Sequence, residues 1–195
     1  MVIAEPPAPV LDLAGACIEY VDHALGFTLD FSPDTLSAVD HYTTSVRASL
    51  AVNPALGSLI APAVGAYFGE VIRVHFDAFW RLPTPNQLDW SVCFKLVFLA
   101  INPIGVGYDA VYGGTDHDGP RSALRVSPDE REFLDRRLAT VPPVPEEQYH
   151  LLTTRFEVLE IAVEALRAKM EEEGYGGTEY TDEDYGLDYS GGSPN

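Results

Sequence analysis

The chain of 195 residues carries 30 Asp and Glu against 12 Lys and Arg, a formal charge of −18 and a pI near 4.4. With 46% hydrophobic and 22% charged residues, the composition is that of one folded domain with its own core, and it excludes wholesale disorder. The acid excess argues against a nucleic-acid backbone or an anionic membrane as the main partner, since both would be repelled over most of the surface.

Residues 1–10, with Glu5 and three prolines, read as a flexible start that lacks the basic opening and long apolar stretch of a signal peptide. Leu11, Ala14, Ile18, Val21 and Leu25 recur at helical spacing before Gly26, which predicts a first amphipathic helix. Phe27–Phe31 alternates apolar and polar and predicts a short strand. Ser32-Pro33 then carries the N-cap and first-turn signals of a helix reaching about Ala51.

Asn53-Pro54 restarts the chain into Ala55–Phe76, where Gly65 and Gly69 stand four apart on one helix face. An interior glycine costs about 1 kcal/mol relative to alanine. The pair therefore predicts a central helix crossed at short range by another element on the glycine side. No run of the sequence approaches the roughly 18 apolar residues of a membrane span.

Phe79–Leu82 and Asp89–Leu99 predict two strands around a Pro83-Thr84-Pro85-Asn86 turn, the second strand becoming continuously apolar as it enters the core. Pro103–Tyr112 predicts a short helix, 113–121 a polar glycine-rich loop, and Ala123–Val126 a last strand. Ser127-Pro128 opens a helix to Leu138. Residues 141–147 form a stiff proline-rich connector into the longest helix, 146–173.

In that helix Tyr149, Leu152, Phe156, Leu159, Val163, Leu166 and Met170 make a heptad seam. A second line, Leu151, Val158, Ile161, Ala162 and Ala165, widens the apolar face. The width favours packing on the chain's own domain, with a homodimer through Leu152, Leu159 and Leu166 as the alternative. From 174 to 195, glycine, tyrosine and acid without periodicity predict a disordered tail. The fold class expected is α+β: one domain over 11–173, with about five helices on a short antiparallel sheet.

Glu70 is a carboxylate in an apolar helix and needs a partner, with Arg73 and Arg81 the available cations. As an enzyme residue it would be a general acid or base aided by His75 or Asp109. As a structural residue it would pair with arginine, which is favoured because no nucleophile or metal signature accompanies it. Tyr67, Arg73 and Trp80 share its neighbourhood and complete a candidate binding set. The histidines, His23, His41, His75, His117 and His150, form no HxxxH array, and Asp116-His117-Asp118 reads as a solvated turn rather than a metal cluster. Cys17 and Cys93 sit in apolar runs and read as small buried hydrophobes of a reducing cytosol. With no phosphate-binding glycine loop and no GxSxG elbow, neither cofactor nor metal is expected.

The charge is uneven. Residues 171–195 hold eight acids and no Lys or Arg, so the rest of the chain carries −10. Tyr175, Tyr180, Tyr185 and Tyr189 are spread through this acidic stretch. Such a tail is either a solvating appendage or a linear element for a basic, aromatic-accepting partner.

Phe31-Ser32-Pro33-Asp34-Thr35-Leu36 with Asp40, then Gly65-Ala66-Tyr67-Phe68-Gly69-Glu70-Val71, Trp80, Asn102-Pro103-Ile104 and Tyr108-Asp109-Ala110 resemble small bacterial domain families of unknown function. These share a helical Y-x-G-E segment followed by a tryptophan-bearing strand. The likeness spans about Phe27 to Tyr112 and implies an α+β fold in a bacterial cytosol, with no activity to carry over. Ten arginines against two lysines agree with a GC-rich bacterial gene.

Two functional classes follow. The favoured one is a non-enzymatic cytoplasmic binding factor, an adaptor or immunity-type inhibitor, whose acidic surface and tail engage a basic protein. The other is an enzyme of unrecognised class centred on Glu70.

Overall fold

A computed structural model describes residues 5–187. Over these, seven α-helices and four strands run in the order α1 (Ala8–Leu25), α2 (Leu36–Leu50), α3 (Ala55–His75), β1 (Ala78–Arg81), β2 (Ser91–Phe94), β3 (Leu99–Ile101), α4 (Pro103–Tyr112), β4 (Arg125–Val126), α5 (Pro128–Leu138), α6 (Leu152–Glu172) and α7 (Asp182–Leu187). The class is α+β, with more helices than sequence periodicity separates.

The strands form one antiparallel sheet in the order β1-β2-β3-β4. Phe79 pairs with Cys93 and Cys93 with Ala100, so these three stand in one cross-strand row. Their neighbours Ala78, Trp80, Val92, Phe94, Leu99 and Ile101 point to the opposite face and join the main core beneath the helices. The row Phe79, Cys93 and Ala100 is covered by Tyr180 and Tyr185 instead.

The long helix α3 is the centre of the helical layer and touches α1, α2, α4, β1 and β2. Its length and mean hydropathy of 1.5 would suit a membrane span, but 78% of that window is buried inside the fold, as in a core helix. The glycine face does what its spacing predicts. A Cβ on Gly65 would lie 2.5 Å from Ile104 Cα and from the Pro103 carbonyl oxygen, and one on Gly107 would lie 2.3 Å from the Ala61 carbonyl oxygen. Helix α4 therefore crosses α3 with backbone against backbone. Asn102 starts α4 by accepting from the Ile104 and Gly105 amides, and Gly113, at φ 63°, ends it in the left-handed region.

Four expectations are corrected. Phe27–Phe31 forms no strand: Phe31 turns to φ 63°, and its N–H donates to Tyr67 Oη at 3.0 Å rather than to a neighbouring strand. The run Asp89–Leu99 is not one strand but β2, a tight bend over 95–98, and the start of β3. The helix expected over 146–173 begins at Leu152, after a 3-10 turn at Glu146–Gln148. Its first turn is capped from outside, because Asp40 of α2 accepts from the Leu152 amide at 2.6 Å, the Thr153 amide at 3.1 Å and the Thr153 hydroxyl at 2.8 Å. Lastly, the tail expected to be disordered from 174 is ordered over 174–187, since Tyr180 and Tyr185 supply the apolar cover that the outer sheet face needs. Residues 188–195 lie outside the described residues.

Candidate functional site

Glu70 and Arg73 lie one turn apart on α3, and β1 brings Trp80 over them. Arg73 Nε donates to both Glu70 oxygens at 2.9 and 3.1 Å, Arg73 Nη2 to Oε2 at 2.8 Å, and Trp80 Nε1 to Oε1 at 2.7 Å. Glu70 is only 2% exposed. Its carboxylate is thus filled by a bidentate guanidinium and an indole, the arrangement of a structural pair and not of an acid or base open to substrate. Arg81, the other cation considered, points to the chain's C-terminal segment and pairs with Asp182 at 2.9 Å.

The three catalytic candidates have separate partners. His75 reaches Glu160 at 3.6 Å on the surface. Asp109 receives His117 Nε2 at 2.9 Å on one oxygen and the Ser122 hydroxyl on the other. His117 Nδ1 accepts from the Gly119 amide at 3.2 Å, and Arg155 Nη2 donates to Ser122 Oγ at 3.0 Å and its carbonyl at 2.7 Å. Both Asp109 oxygens, both His117 nitrogens and the Ser122 hydroxyl are used to pin the loop after α4, so this cluster too reads as a latch. Tyr67 is fully buried, with its hydroxyl 2.5 Å from Thr35 Oγ1 and its ring stacked on Phe31 at 5.1 Å. Burial pushes the Cys17 and Cys93 thiols up to about 12 and about 11, so neither is a ready nucleophile. Among the described residues no group of three His, Cys, Asp or Glu is disposed to hold a metal.

The tail tyrosines divide. Tyr185 is 1% exposed and Tyr180 half-buried on the sheet, while Tyr175 is 63% exposed. Tyr189 lies outside the described residues. The leucines considered for a homodimer, Leu152, Leu159 and Leu166, are all buried within their own chain, so these three side chains are core.

The feature that sequence reasoning missed is an open groove of about 600 Å³ where the end of α3, the bend between β2 and β3, and the outer side of α6 meet. Val74, Phe76, Phe94, Leu96, Val97 and Val163 supply apolar walls. Phe76 is braced by Phe94 and Phe156, each with its ring centre 5.3 Å away. Four carboxylates, Asp77, Glu160, Glu164 and Glu171, stand on the lining against the guanidinium of Arg167 and the imidazole of His75. Helix α3 ends here, so the negative end of its dipole faces the same space. Asp77 holds a φ of 51°, a left-handed turn that Asp tolerates, and binds Lys95 Nζ at 2.6 Å. No local signal marked this groove, because its walls come from separate stretches and the third of them is the unforeseen bend.

Comparison with protein-family models, with curated proteins and with solved structures returned no match.

Proposed function

We propose that the chain is a non-enzymatic, cytoplasmic protein-binding factor, an adaptor or inhibitor, that seats a basic segment with apolar anchors in the groove between α3, α6 and the β2–β3 bend. The observation that carries this reading is the pairing of aromatic and aliphatic walls with an acidic lining at a helix C-terminus. Such a lining attracts Lys and Arg while the walls take the apolar side chains between them. The free, buried state of Cys17 and Cys93 supports a reducing compartment. The acidic tail contributes less directly than a free tail would, because Tyr180 and Tyr185 are already engaged.

A labelled amphipathic peptide of Lys and Leu, with a Glu and Leu peptide as control, tests the reading by fluorescence anisotropy. The Lys peptide binds and the Glu peptide does not. The double reversal Glu160→Lys/Glu164→Lys weakens binding by about tenfold more than the equal-charge reversal Asp12→Lys/Asp135→Lys away from the groove. Equal losses from both reversals would mean that the peptide senses only net charge, and the groove would lose its role.

A further inference from the structure

We propose that residues 180–187 form a strap whose docking on the outer face of the sheet holds the groove in its binding shape. This deepens the preceding proposal and rests on it for the identity of the site. The strap starts as a capped helical turn: the Thr181 amide and hydroxyl both donate to Asp184 Oδ2, at 2.7 and 2.8 Å. Its ring, Tyr185, stacks on Phe98 with centres 4.7 Å apart and planes 8° apart, and meets Phe79 edge-on.

The informative part is where the phenol oxygen goes. Tyr185 Oη lies 2.7 Å from the Phe94 carbonyl oxygen, 3.0 Å from that of Val97 and 2.9 Å from that of Leu99, and it accepts from the Leu99 amide at 3.0 Å. These groups span the bend between β2 and β3, a bend with no Gly, Pro, Asn or Asp to shape it. Burial pushes the phenol pKa up and keeps the proton on the oxygen. With one proton to share among three carbonyl oxygens and a lone pair for the Leu99 amide, this hydroxyl is the polar centre around which the bend folds. A second clamp lies alongside, since the Tyr180 amide donates to the Lys95 carbonyl oxygen at 2.7 Å.

The same bend is a wall of the groove on its other side, through Phe94, Leu96 and Val97. Lys95 ties it to Asp77 across the groove's end. The strap therefore grips one side of a thin wall whose other side meets the ligand. A ligand that needs this wall in place favours the docked strap, and the docked strap favours the ligand by the same factor.

The test uses the full chain with two substitutions. Tyr185→Phe keeps the ring and removes the gathering oxygen. Asp182→Asn weakens only the exposed Arg81 pair at the strap's start and leaves the core intact. Hydrogen exchange at 94–99, the methyl signals of Val163 on the far wall, and affinity for the Lys and Leu peptide are read in parallel. In Tyr185→Phe, exchange at 94–99 rises about tenfold, the Val163 methyls shift, and peptide binding weakens by about tenfold. Asp182→Asn gives smaller changes in the same sense. In the unsubstituted chain the peptide slows exchange at 180–187.

If the strap loosens while 94–99, Val163 and affinity stay unchanged, the strap is only a cover and the inference falls. If the peptide fails to bind even the unsubstituted chain, the binding proposal falls. In that case, matched changes at 94–99 and Val163 still uphold the strap's hold on the groove.

Discussion

Glu70 shows how a conspicuous residue can be fully spent on structure. Its carboxylate takes three hydrogen bonds from Arg73 and one from Trp80 in an environment with almost no water. Removing one partner of a buried pair leaves the other charge uncompensated, a loss of about 3–5 kcal/mol. Glu70→Gln is therefore expected to lower the unfolding free energy from denaturant titration by that amount without altering peptide affinity beyond the change in folded fraction. Asp40 poses the opposite balance. Burial raises its pKa, and the Leu152 and Thr153 donors offset this only in part. A raised carboxyl pKa means that the folded chain holds the proton more tightly than the unfolded one. The group's contribution is thus fully present below the ordinary carboxylate range and is lost as pH rises through its raised value. Chemical denaturation of Asp40→Asn, which cannot titrate, provides the reference. The native chain should lose stability relative to this variant as pH climbs from the ordinary carboxylate range toward neutrality. A relative gain would show that the helix cap outweighs burial.

The α3–α4 crossing depends on glycine in a way that two alanine substitutions separate. At Gly65 the added methyl meets backbone atoms of Pro103 and Ile104 at 2.5 Å, so the helices must move apart, at a cost of about 1–3 kcal/mol or more. At Gly15, within α1, nothing lies within 4 Å of the added carbon, and Gly15→Ala is expected to stabilise by about 0.5–1 kcal/mol. Opposite shifts in melting temperature check the pair. This crossing was legible because glycine spacing on a helix is a local signal, as were the Pro103 and Pro128 helix starts. What could not be read locally was set from far away. The cap of α6 comes from Asp40, 112 residues earlier. The bend after β2 is shaped by the phenol of Tyr185, which lies 91 residues beyond Phe94. An apolar run with no turn residues looks like one strand until that phenol is in place. The Glu70 cluster was legible for the reason the crossing was, its members lying within ten residues. The groove was not, since its walls come from three distant stretches.

Charge acts on the molecule in two ways. Much of the −18 sits on exposed carboxylates with no ion pair among the described residues, including Asp12, Glu19, Glu157 and Glu164. Their mutual repulsion works against the folded state over distances that salt shortens, the screening length falling from about 30 Å at 0.01 M to about 8 Å at 0.15 M. The pairs that oppose this effect differ in exposure. Glu70–Arg73 is buried and scarcely screened, whereas Lys169–Glu173 and Arg136–Glu132 are near the surface and contribute little. Raising salt therefore removes more repulsion than attraction, and the melting temperature should climb by about 2–4 °C, corresponding to roughly 1 kcal/mol for a chain of this size. Peptide binding in the groove should move the other way, because the acidic lining attracts through the same screened field. Calorimetry and anisotropy on one salt series check both signs at once. A melting temperature that falls with salt would show that surface pairing outweighs repulsion, while binding indifferent to salt would leave the apolar walls alone responsible for it.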